Sequence, residues 1–496
     1  MRHDPSFGVE HMTKRLTQSA KANPAATSVG EAPGFAIPPT MQVSPAHRKL
    51  RLAVVTSRLP LPMTRADQMT VAHWIAYLSA RGHEVELFAL TGRTPPSSDA
   101  MAWLNHHCAR VHLFRRPRWR AVLGALAGWF RGLPLQVGYF NDRAQAHAVR
   151  TEASRFDAVY IYYIRSAEVV RGDLAVPAIL AVQVSQTLNI RRMLQNFKPG
   201  LERMLYQAEA PSIRRYEAKV WQRFNRTTFC GPADLAAVQE ACRKTGQPLV
   251  DNALLLPHGT DLSAPPPAAS DDGNTIMFLG MLATNTNVEG VLWFVSEIWP
   301  LVRRKRPDAR FRIAGRRPRA SILALHGHDG IEVLGEIADP LPRLAEATIC
   351  ISPVQAAAGM QNKLLDYFRA GKAVVATRAA NEGIGAPPGR AIRLANQPED
   401  FAAQIIRLLN NPAERREVGR AARAFVENGW SWEAWFAKLE QAIEAAVAYP
   451  RPVRSAEMVE QAPGYAYPKP SAGFAVAEPE IAWNSRQRAR TAVDEP

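Results

Sequence analysis

The sequence predicts an α/β protein made of two parallel β-sheets in series, each covered by helices. The chain has 496 residues, which is more than one hydrophobic core usually fills. Short apolar runs alternate with amphipathic stretches of helix length, and the alternation occurs twice. With 47% hydrophobic and 21% charged residues, the composition excludes a wholly disordered or collagen-like protein.

The two ends of the chain differ from the rest. Residues 1–48 and 450–496 are rich in alanine and proline, and their apolar residues follow no period. Such segments bury too little apolar surface to offset the entropy of ordering. We therefore predict disordered tails at both ends.

Residues 49–262 form the first predicted domain. It opens with the apolar run Leu52–Thr56, followed by a helix over about 67–81 and a strand over 85–88. Five more apolar runs have the length of buried strands, at residues 111–114, 158–163, 178–182, 227–230 and 253–256.

Residues 263–273 contain three consecutive prolines and an Asp-Asp-Gly sequence, which indicates a linker. The second predicted domain, 274–428, has a helix over 288–304 and ends before a final helix within 429–449, for which Ser431 is the expected N-cap. Its predicted strands are 275–279, 310–314, 331–334, 348–351 and 373–376.

The charge is concentrated in the first domain. The net charge is +16, and residues 49–265 carry 28 basic against 16 acidic side chains, which favours anionic partners. Residues 101–141 contain six arginines and no acidic residue, and tryptophans and leucines lie between them. The stretch 110–131 is therefore either an interfacial helix on an anionic membrane or an ordinary surface helix whose apolar face packs on the sheet. A nucleic-acid partner is not expected, because no groove-reading helix or aromatic sheet motif is visible.

The four cysteines, at 108, 230, 242 and 350, fit neither a disulfide framework nor a zinc spacing. The longest apolar runs are about half as long as a membrane span, and the first fifteen residues do not resemble a signal peptide. We expect a cytoplasmic protein, located at the inner face of the cell membrane if 110–131 binds lipid.

The stretch 352–377 contains the candidate site for binding an anionic ligand. A strand ends near Ser352, a loop of small residues follows, and a helix begins near Asn362. Backbone amides at a helix start form an anion site suited to a diphosphate. Lys363 would add a mobile positive charge, and Asp366 would accept hydrogen bonds from ribose hydroxyls. The alternative is one more strand–loop–helix unit, with Lys363 in solvent.

Five segments occur in the order seen in one enzyme class: 81–85 (RGHEV), 257–261 (PHGTD), 280–294, 311–316 (FRIAGR) and 359–377. In this respect the chain resembles the retaining, nucleotide-sugar-dependent glycosyltransferases of the GT-B class, called group 1 or family 4. The resemblance covers nearly all of residues 50–447. It is strongest to bacterial members that act in exopolysaccharide or surface-glycan biosynthesis.

The resemblance implies two Rossmann-like domains facing a cleft, with the final helix crossing back to the first domain. It implies transfer of a hexose from a nucleotide-diphosphate donor to a lipid-linked or polysaccharide acceptor, with retention and without a metal or another cofactor. The catalytic candidates are Lys363 and Arg316. The candidates for donor binding are Gly280, Gly359, Met360, Gln361, Asn362 and Asp366.

The chain also departs from the family pattern. The two glutamates of the family motif correspond to Ala358 and Asp366, and residues 281–287 contain no lysine or arginine. Two alternatives therefore stay open: a non-catalytic sugar-nucleotide-binding or scaffold protein of a glycan-assembly complex, and a GT-B-shaped sugar-nucleotide epimerase. His83 and His258 lie beside glycines at turns, where we expect solvated imidazoles.

Overall fold

The computed structural model describes residues 41, 44, 46, 48–63, 65–92, 94–170, 174–196, 200–263, 268, 270–337, 339–355 and 360–449. Nearly all of the first predicted tail and all of the second lie outside these residues. The described residues belong to one compact unit.

The first sheet has seven parallel strands in the order β3-β2-β1-β4-β5-β6-β7. The strands are β1 (Arg51–Thr56), β2 (Glu84–Thr91), β3 (Arg110–Arg115), β4 (Ala158–Tyr162), β5 (Ala178–Gln183), β6 (Arg226–Phe229) and β7 (Ala253–Leu255). The helices are α1 (Ala66–Arg81), α2 (Ser98–His107), α3 (Arg118–Trp129), α4 (Leu135–Phe140), α5 (Arg143–Glu152), α6 (Gln186–Asn196), α7 (Leu201–Val220) and α8 (Pro232–Thr245). All seven predicted strands are confirmed to within a few residues.

The second sheet has six parallel strands in the order β10-β9-β8-β11-β12-β13. The strands are β8 (Thr275–Leu279), β9 (Arg310–Ala314), β10 (Ile331–Gly335), β11 (Ile349–Ser352), β12 (Val374–Ala376) and β13 (Arg393–Leu394). The helices are α9 (Asn285–Trp293), α10 (Trp299–Lys305), α11 (Ala320–Leu323), α12 (Pro340–Glu346), α13 (Asn362–Arg369), α14 (Arg378–Asn381), α15 (Pro398–Asn410), α16 (Pro412–Glu427) and α17 (Trp432–Ala448). Only the two-residue strand β13 was not predicted.

The predicted helix over 288–304 is interrupted. A single π-helical turn, Phe294–Ile298, separates α9 from α10, and Pro300 stands at the start of α10. The wider turn leaves both Phe294 and Trp299 buried, with ring centroids 4.6 and 5.8 Å from that of Phe311. Packing of the two rings on the sheet therefore offsets the irregular backbone.

The final helix, α17, packs into the first domain, as the resemblance implied. Ser431 caps it, because its Oγ accepts a hydrogen bond of 3.0 Å from the backbone N–H of Ala434. Trp432 and Phe436 are buried in the same core as Trp74 of α1. The tryptophans of this segment, Trp430, Trp432 and Trp435, are all buried and therefore structural.

Two chain segments connect the sheets, and they touch where they cross. Thr260 and Ser431 form a parallel β-bridge, and the Thr260 N–H donates to the Trp430 carbonyl at 2.7 Å. A Cβ atom added at Gly259 would lie 2.6 Å from the backbone nitrogen of Trp432. Any larger residue at position 259 would therefore displace the backbone at Trp432.

All four cysteines are buried and none forms a disulfide, in agreement with the sequence prediction. None of the helices within the described residues combines the length and the apolarity needed to cross a membrane.

Candidate functional site

The candidate site lies where the strands of the second sheet end. All its strand pairs are parallel, so the segments after β8, β9 and β11 emerge at one edge. The first two of these segments touch at Gly280 and Gly315: a Cβ atom at Gly315 would lie 1.6 Å from the Gly280 oxygen, and Gly315 has φ = 153°. Glycine at 315 therefore lets the two segments meet beside the start of α13.

Lys363 occupies the centre of this edge. Its side chain is buried, its Nζ donates to Asn287 Oδ1 at 2.6 Å, and the same atom lies 4.3 Å from the centre of the Phe278 ring. Burial lowers the pKa of Lys363 to about 7. The prediction of a mobile or solvated lysine is wrong, because Asn287 and Phe278 fix the ammonium group.

The structure brings Gly280 and Lys363 together, as the sequence grouped them. A Cβ atom added at Gly280 would lie 3.0 Å from Asn287 Nδ2 and 3.3 Å from Lys363 Nζ. A side chain at position 280 would therefore crowd the ammonium group and its amide partner. Because position 280 has no side chain, a ligand can approach the Lys363 ammonium group from this side.

The first turn of α13 supplies backbone amides. The helix begins at Asn362, and no side chain caps it at Gln361. Met360 and Gln361 are half-buried and Asn362 is exposed. Gly359 and Ala358 lie outside the described residues. The described part of the predicted anion site therefore has a helix start with amide donors that no side-chain cap uses.

Asp366 lies one turn further along α13 and is half-buried. Its Oδ1 is 3.4 Å from Arg369 Nε, and Arg369 also donates to the carbonyl of Asp261 in the segment that joins the two sheets. Burial raises the pKa of Asp366, and the positive charge of Arg369 opposes that shift. This face of α13 therefore points toward the connection between the domains.

Arg316 stands apart from this group. Its guanidinium Nε lies 2.9 Å from Glu336 Oε1, just beyond β10. The next residue, Arg317, is exposed and has φ = 52°, in the left-handed region. Partial burial, followed by the positive charge of Arg58, lowers the pKa of Arg65 on the first domain; Asp67 opposes this shift, and Arg317 adds a smaller contribution in the lowering direction. Arginines of both domains therefore contribute positive charge to this region.

The first-domain side of the region has its own cations. Asp67, at the start of α1, accepts from Arg58 at 2.7 Å and lies 3.5 Å from Arg165. The Arg165 guanidinium lies 4.3 Å from the centre of the Tyr163 ring and 4.6 Å from that of Phe140. The single negative charge of Asp67 is shared by two arginines, so the net charge of this region is positive.

Sequence reasoning missed Arg65, Arg317 and Asn287. The signal was partly present, since Arg58 and Arg65 flank the loop after the first predicted strand and Arg317 follows the Gly315 turn. In parallel sheets such loops lie at the edge that binds ligands. Nothing in the sequence identifies Asn287 as the partner of a lysine 76 positions later.

Both histidine predictions are wrong. His83 is buried, and its ring accepts from the Leu50 N–H at 3.1 Å and lies 2.8 Å from Glu440 Oε1 of α17. His258 is half-buried, with Nδ1 3.0 Å from Thr70 Oγ1, and burial lowers its pKa to about 4. Both rings lie where segments of the chain cross, and both are hydrogen-bonded there.

One group of ligand-type side chains lies elsewhere in the first domain. Glu86, His112 and Glu152 place ligand atoms within 4.8 Å of one another. Arg155 forms ion pairs with both carboxylates, and His112 lies 2.9 Å from Glu86. The arginine already neutralises the buried carboxylate, so a structural ion-pair network accounts for this group.

Sequence comparison matches most of the second domain, which carries this site, to a known family. Residues 273–411 match the family of group 1 glycosyl transferases. Over 404 residues the chain is 20% identical to an uncharacterized 44.6 kDa protein in the cps region of Klebsiella pneumoniae, covering 78% of this chain and 98% of that protein.

Solved structures match the two-sheet architecture. Sucrose-phosphate synthase from Thermosynechococcus elongatus superposes with a TM-score of 0.57 at 15% identity, covering 81% of this chain and 100% of that one. HepE of Anabaena, solved in complex with UDP and glucose, superposes with a TM-score of 0.54 at 14% identity, covering 79% and 99%. The chain has the GT-B fold, and the predicted fold class is confirmed.

Proposed function

We propose that this protein is a group 1 glycosyltransferase, which moves a hexose from a nucleotide-diphosphate donor to a lipid-linked or polysaccharide acceptor with retention of anomeric configuration. The observation that carries the proposal is the set of cations around one sheet edge. Lys363 is buried there beside Gly280, and Arg317 is exposed two residues after Gly315, which contacts Gly280. Clustered positive charge of this kind suits a ligand with two phosphates.

The donor would bind with its diphosphate against the first turn of α13. The backbone amides near Gln361 and Asn362 would bind one phosphate, and Lys363 would supply the charge that Asn287 leaves uncompensated. Asp366 would accept hydrogen bonds from the ribose. HepE, which has the same fold, was solved with UDP, and this supports a nucleotide-sugar donor.

The difficult step is departure of the nucleoside diphosphate. The bond between the sugar's anomeric carbon and the phosphate oxygen breaks, and negative charge grows on that oxygen. Lys363 and Arg317 would stabilise this charge more strongly in the transition state than in the bound donor. We infer that these side-chain cations take the place of a metal ion.

The acceptor hydroxyl forms the new bond to the anomeric carbon on the same face, and its proton passes to the departing phosphate oxygen. Such a transfer uses no protein carboxylate at the sugar. It is therefore compatible with alanine at position 358. Arg316, held by Glu336, would act on the donor only after leaving that carboxylate.

The acceptor would belong to surface-glycan or exopolysaccharide biosynthesis. The Klebsiella pneumoniae relative from a cps region supports this assignment. We further infer that the protein acts at the inner face of the cell membrane through α3. Its large apolar side chains are exposed rather than buried: Trp119 is 60% exposed, and Phe130, directly after the helix, is 87% exposed.

A screen of nucleotide sugars tests the proposal. Binding of UDP-, GDP- and dTDP-sugars is measured by calorimetry, and release of nucleoside diphosphate is then followed with a membrane lipid extract as the acceptor source. We expect one donor to bind and to turn over only with the extract. The proposal would be contradicted if none of the nucleotide sugars bound.

A second function has one observation in its favour. Ala358 replaces the first carboxylate of the family motif. A non-catalytic member of a glycan-assembly complex would bind the donor and release no nucleotide under any condition. In the same screen, formation of an isomer or of free sugar without acceptor would instead indicate an epimerase.

A further inference from the structure

A cavity of about 410 Å³ lies in the first domain between α6, α7 and α8. Each helix turns one face toward it, since the lining positions follow helical spacing: Ile190 and Leu194 on α6, Ala210 and Arg214 on α7, and Ala237 and Ala241 on α8. Three of these six residues are alanines, which leave the space between the helices unfilled. The volume is that of a small-molecule site.

The cavity is strongly cationic. Four basic residues line it and one acidic residue, Glu240, opposes them. Glu240 pairs with Arg191 at 3.0 Å and with Lys244 at 2.6 Å, so its single charge is shared between two cations. The lining therefore has an excess of positive charge beside an apolar wall.

Arg214 has a donor without an acceptor. Its Nε is buried, and no described residue offers that atom a hydrogen-bond partner. No described carboxylate forms an ion pair with the Arg214 guanidinium, either. The Arg214 side chain is half-buried, and a buried donor such as its Nε is costly when it is left unpaired, so a bound anion would stabilise this arrangement.

The cavity also lies beside exposed apolar surface. Leu201 and Met204, in the first turn of α7, are 58% and 64% exposed. The same helix reaches the α3–α4 hairpin, because Glu209 accepts a hydrogen bond of 3.2 Å from the backbone N–H of Gln136. The cavity is thus connected through α7 to the helix pair that carries exposed Trp119 and Phe130.

We propose that the cavity between α6, α7 and α8 binds an anionic phospholipid, with the phosphate at Arg214 and the glycerol and first acyl carbons against Ile190, Leu194 and Ala210. The occupant has to combine an anion with an apolar chain, because the lining offers both. A membrane supplies such molecules next to the exposed residues of α7. The site is separate from the donor site and does not depend on sugar transfer.

Calorimetry with soluble short-chain lipids tests the proposal on the full chain. Dihexanoyl phosphatidylglycerol should bind at least about tenfold more tightly than dihexanoyl phosphatidylcholine or inorganic phosphate. Arg214→Gln should weaken this binding by about tenfold or more, since charge-assisted hydrogen bonds contribute that much. Ala210→Leu, which fills the cavity, should abolish binding, and Ala208→Leu at an exposed position of the same helix should leave it unchanged.

Circular dichroism and the melting temperature of each variant show whether it folds. If Ala210→Leu does not fold, Arg214→Gln still decides the proposal, because this change adds no volume to the packed helices. Equal binding of the two dihexanoyl lipids, or binding unaffected by Arg214→Gln, would overturn it. Inorganic phosphate binding as tightly as the anionic lipid would overturn it too, because the apolar wall would then contribute nothing.

Discussion

The ammonium group of Lys363 donates a 2.6 Å hydrogen bond to the amide oxygen of Asn287 and has no ion pair with a carboxylate of the described residues. The amide satisfies one N–H but carries no charge. Because no group of opposite charge compensates the buried ammonium, burial lowers the pKa of the lysine to about 7. A phosphate placed beside it would supply the missing charge.

Lys363→Met is expected to reduce nucleotide-sugar turnover by about a hundredfold or more, the usual effect of removing one charged group from a transition state. The stability of the ligand-free protein should stay equal or rise at pH 7, because the variant removes a buried ammonium group. Release of nucleoside diphosphate and the melting temperature are measured together. Lys305→Met, at an exposed position of α10, is the matched control. Turnover equal to wild type in Lys363→Met would show that the site is misplaced.

Binding of UDP should take up protons at pH 8. With a pKa of about 7, Lys363 is mostly neutral at that pH in the free protein, and a neighbouring phosphate raises its pKa. Near pH 6 the lysine is already charged, so the uptake should shrink. Calorimetry in buffers of different ionisation enthalpy measures the number of protons. Uptake that persists in Lys363→Met would assign the proton to another group.

Arg65 and Arg317 are expected to bind the same anion from opposite domains. Arg317→Gln and Arg65→Gln should each weaken UDP binding by about tenfold, since a charge-assisted hydrogen bond contributes about 1.5–3 kcal/mol. Arg317→Glu should weaken binding further and raise the melting temperature of the free protein, because a repulsion becomes an attraction. Arg304→Gln, exposed on α10, is the control. Binding unchanged in both arginine variants would separate these residues from the donor.

The sequence predicted the fold well because buried parallel strands produce short, nearly continuous apolar runs. The strand over 275–279 is recovered without error, whereas β13 has only two residues and too little pattern to detect. The helix over 288–304 was predicted as continuous, because the π turn at Phe294 depends on where two rings pack in the core.

The site was predicted only in part. Helix periodicity and the family motifs located Lys363 and Gly280, but burial of the ammonium group depends on Asn287 and Phe278, which come from other elements. The anion-binding role that we expect for Arg65 arises only because the two domains face each other. A sequence motif describes one strand–loop–helix unit, and contacts between units are set by the tertiary fold.

Glu440 of α17 is expected to be a major source of stability. It is buried and accepts hydrogen bonds from Tyr77 at 2.6 Å and Arg81 at 3.0 Å, besides its contact with His83. Glu440→Ala should cost about 3–5 kcal/mol of unfolding free energy, because it removes the carboxylate on which Tyr77, Arg81 and His83 converge. Denaturant titration measures the cost, and Gln441→Ala on the exposed face of the same helix is the control. A loss below about 1 kcal/mol would contradict the assignment.

The same contribution should depend on pH. Burial alone would raise the pKa of Glu440, but hydrogen bonds from Arg81, Tyr77 and His83 outweigh it and lower the pKa below the ordinary 4.5. A lowered carboxyl pKa stabilises the fold above the unfolded-state value, and the contribution is lost as the pH falls through the folded-state pKa. The gap between wild type and Glu440→Ala should therefore be constant near neutrality and narrow below about pH 4. A gap that widens on acidification would contradict this sign.

Vesicle co-sedimentation tests membrane binding by the stretch 110–131, which includes α3. Arg115, Arg118 and Arg120 are exposed, whereas Arg116 forms an ion pair with Asp142 at 3.0 Å and is left intact. Changing the three exposed arginines to glutamine should weaken binding to phosphatidylglycerol vesicles by roughly a hundredfold, at about 1 kcal/mol for each charge. Wild-type binding should also fall with added salt. Equal binding to phosphatidylcholine vesicles would remove the electrostatic contribution.

The return of α17 to the first domain has a consequence for chain connectivity. Because Trp432 and Phe436 are buried with Trp74, the chain runs from the first domain to the second and then returns to the first. Either of these two connections alone would hold the domains together. Polypeptides divided between residues 263 and 273 should therefore reassemble on mixing, with the C-terminal fragment docking through its last helix. The two domains are therefore held together by packing of the last helix as well as by the covalent linker.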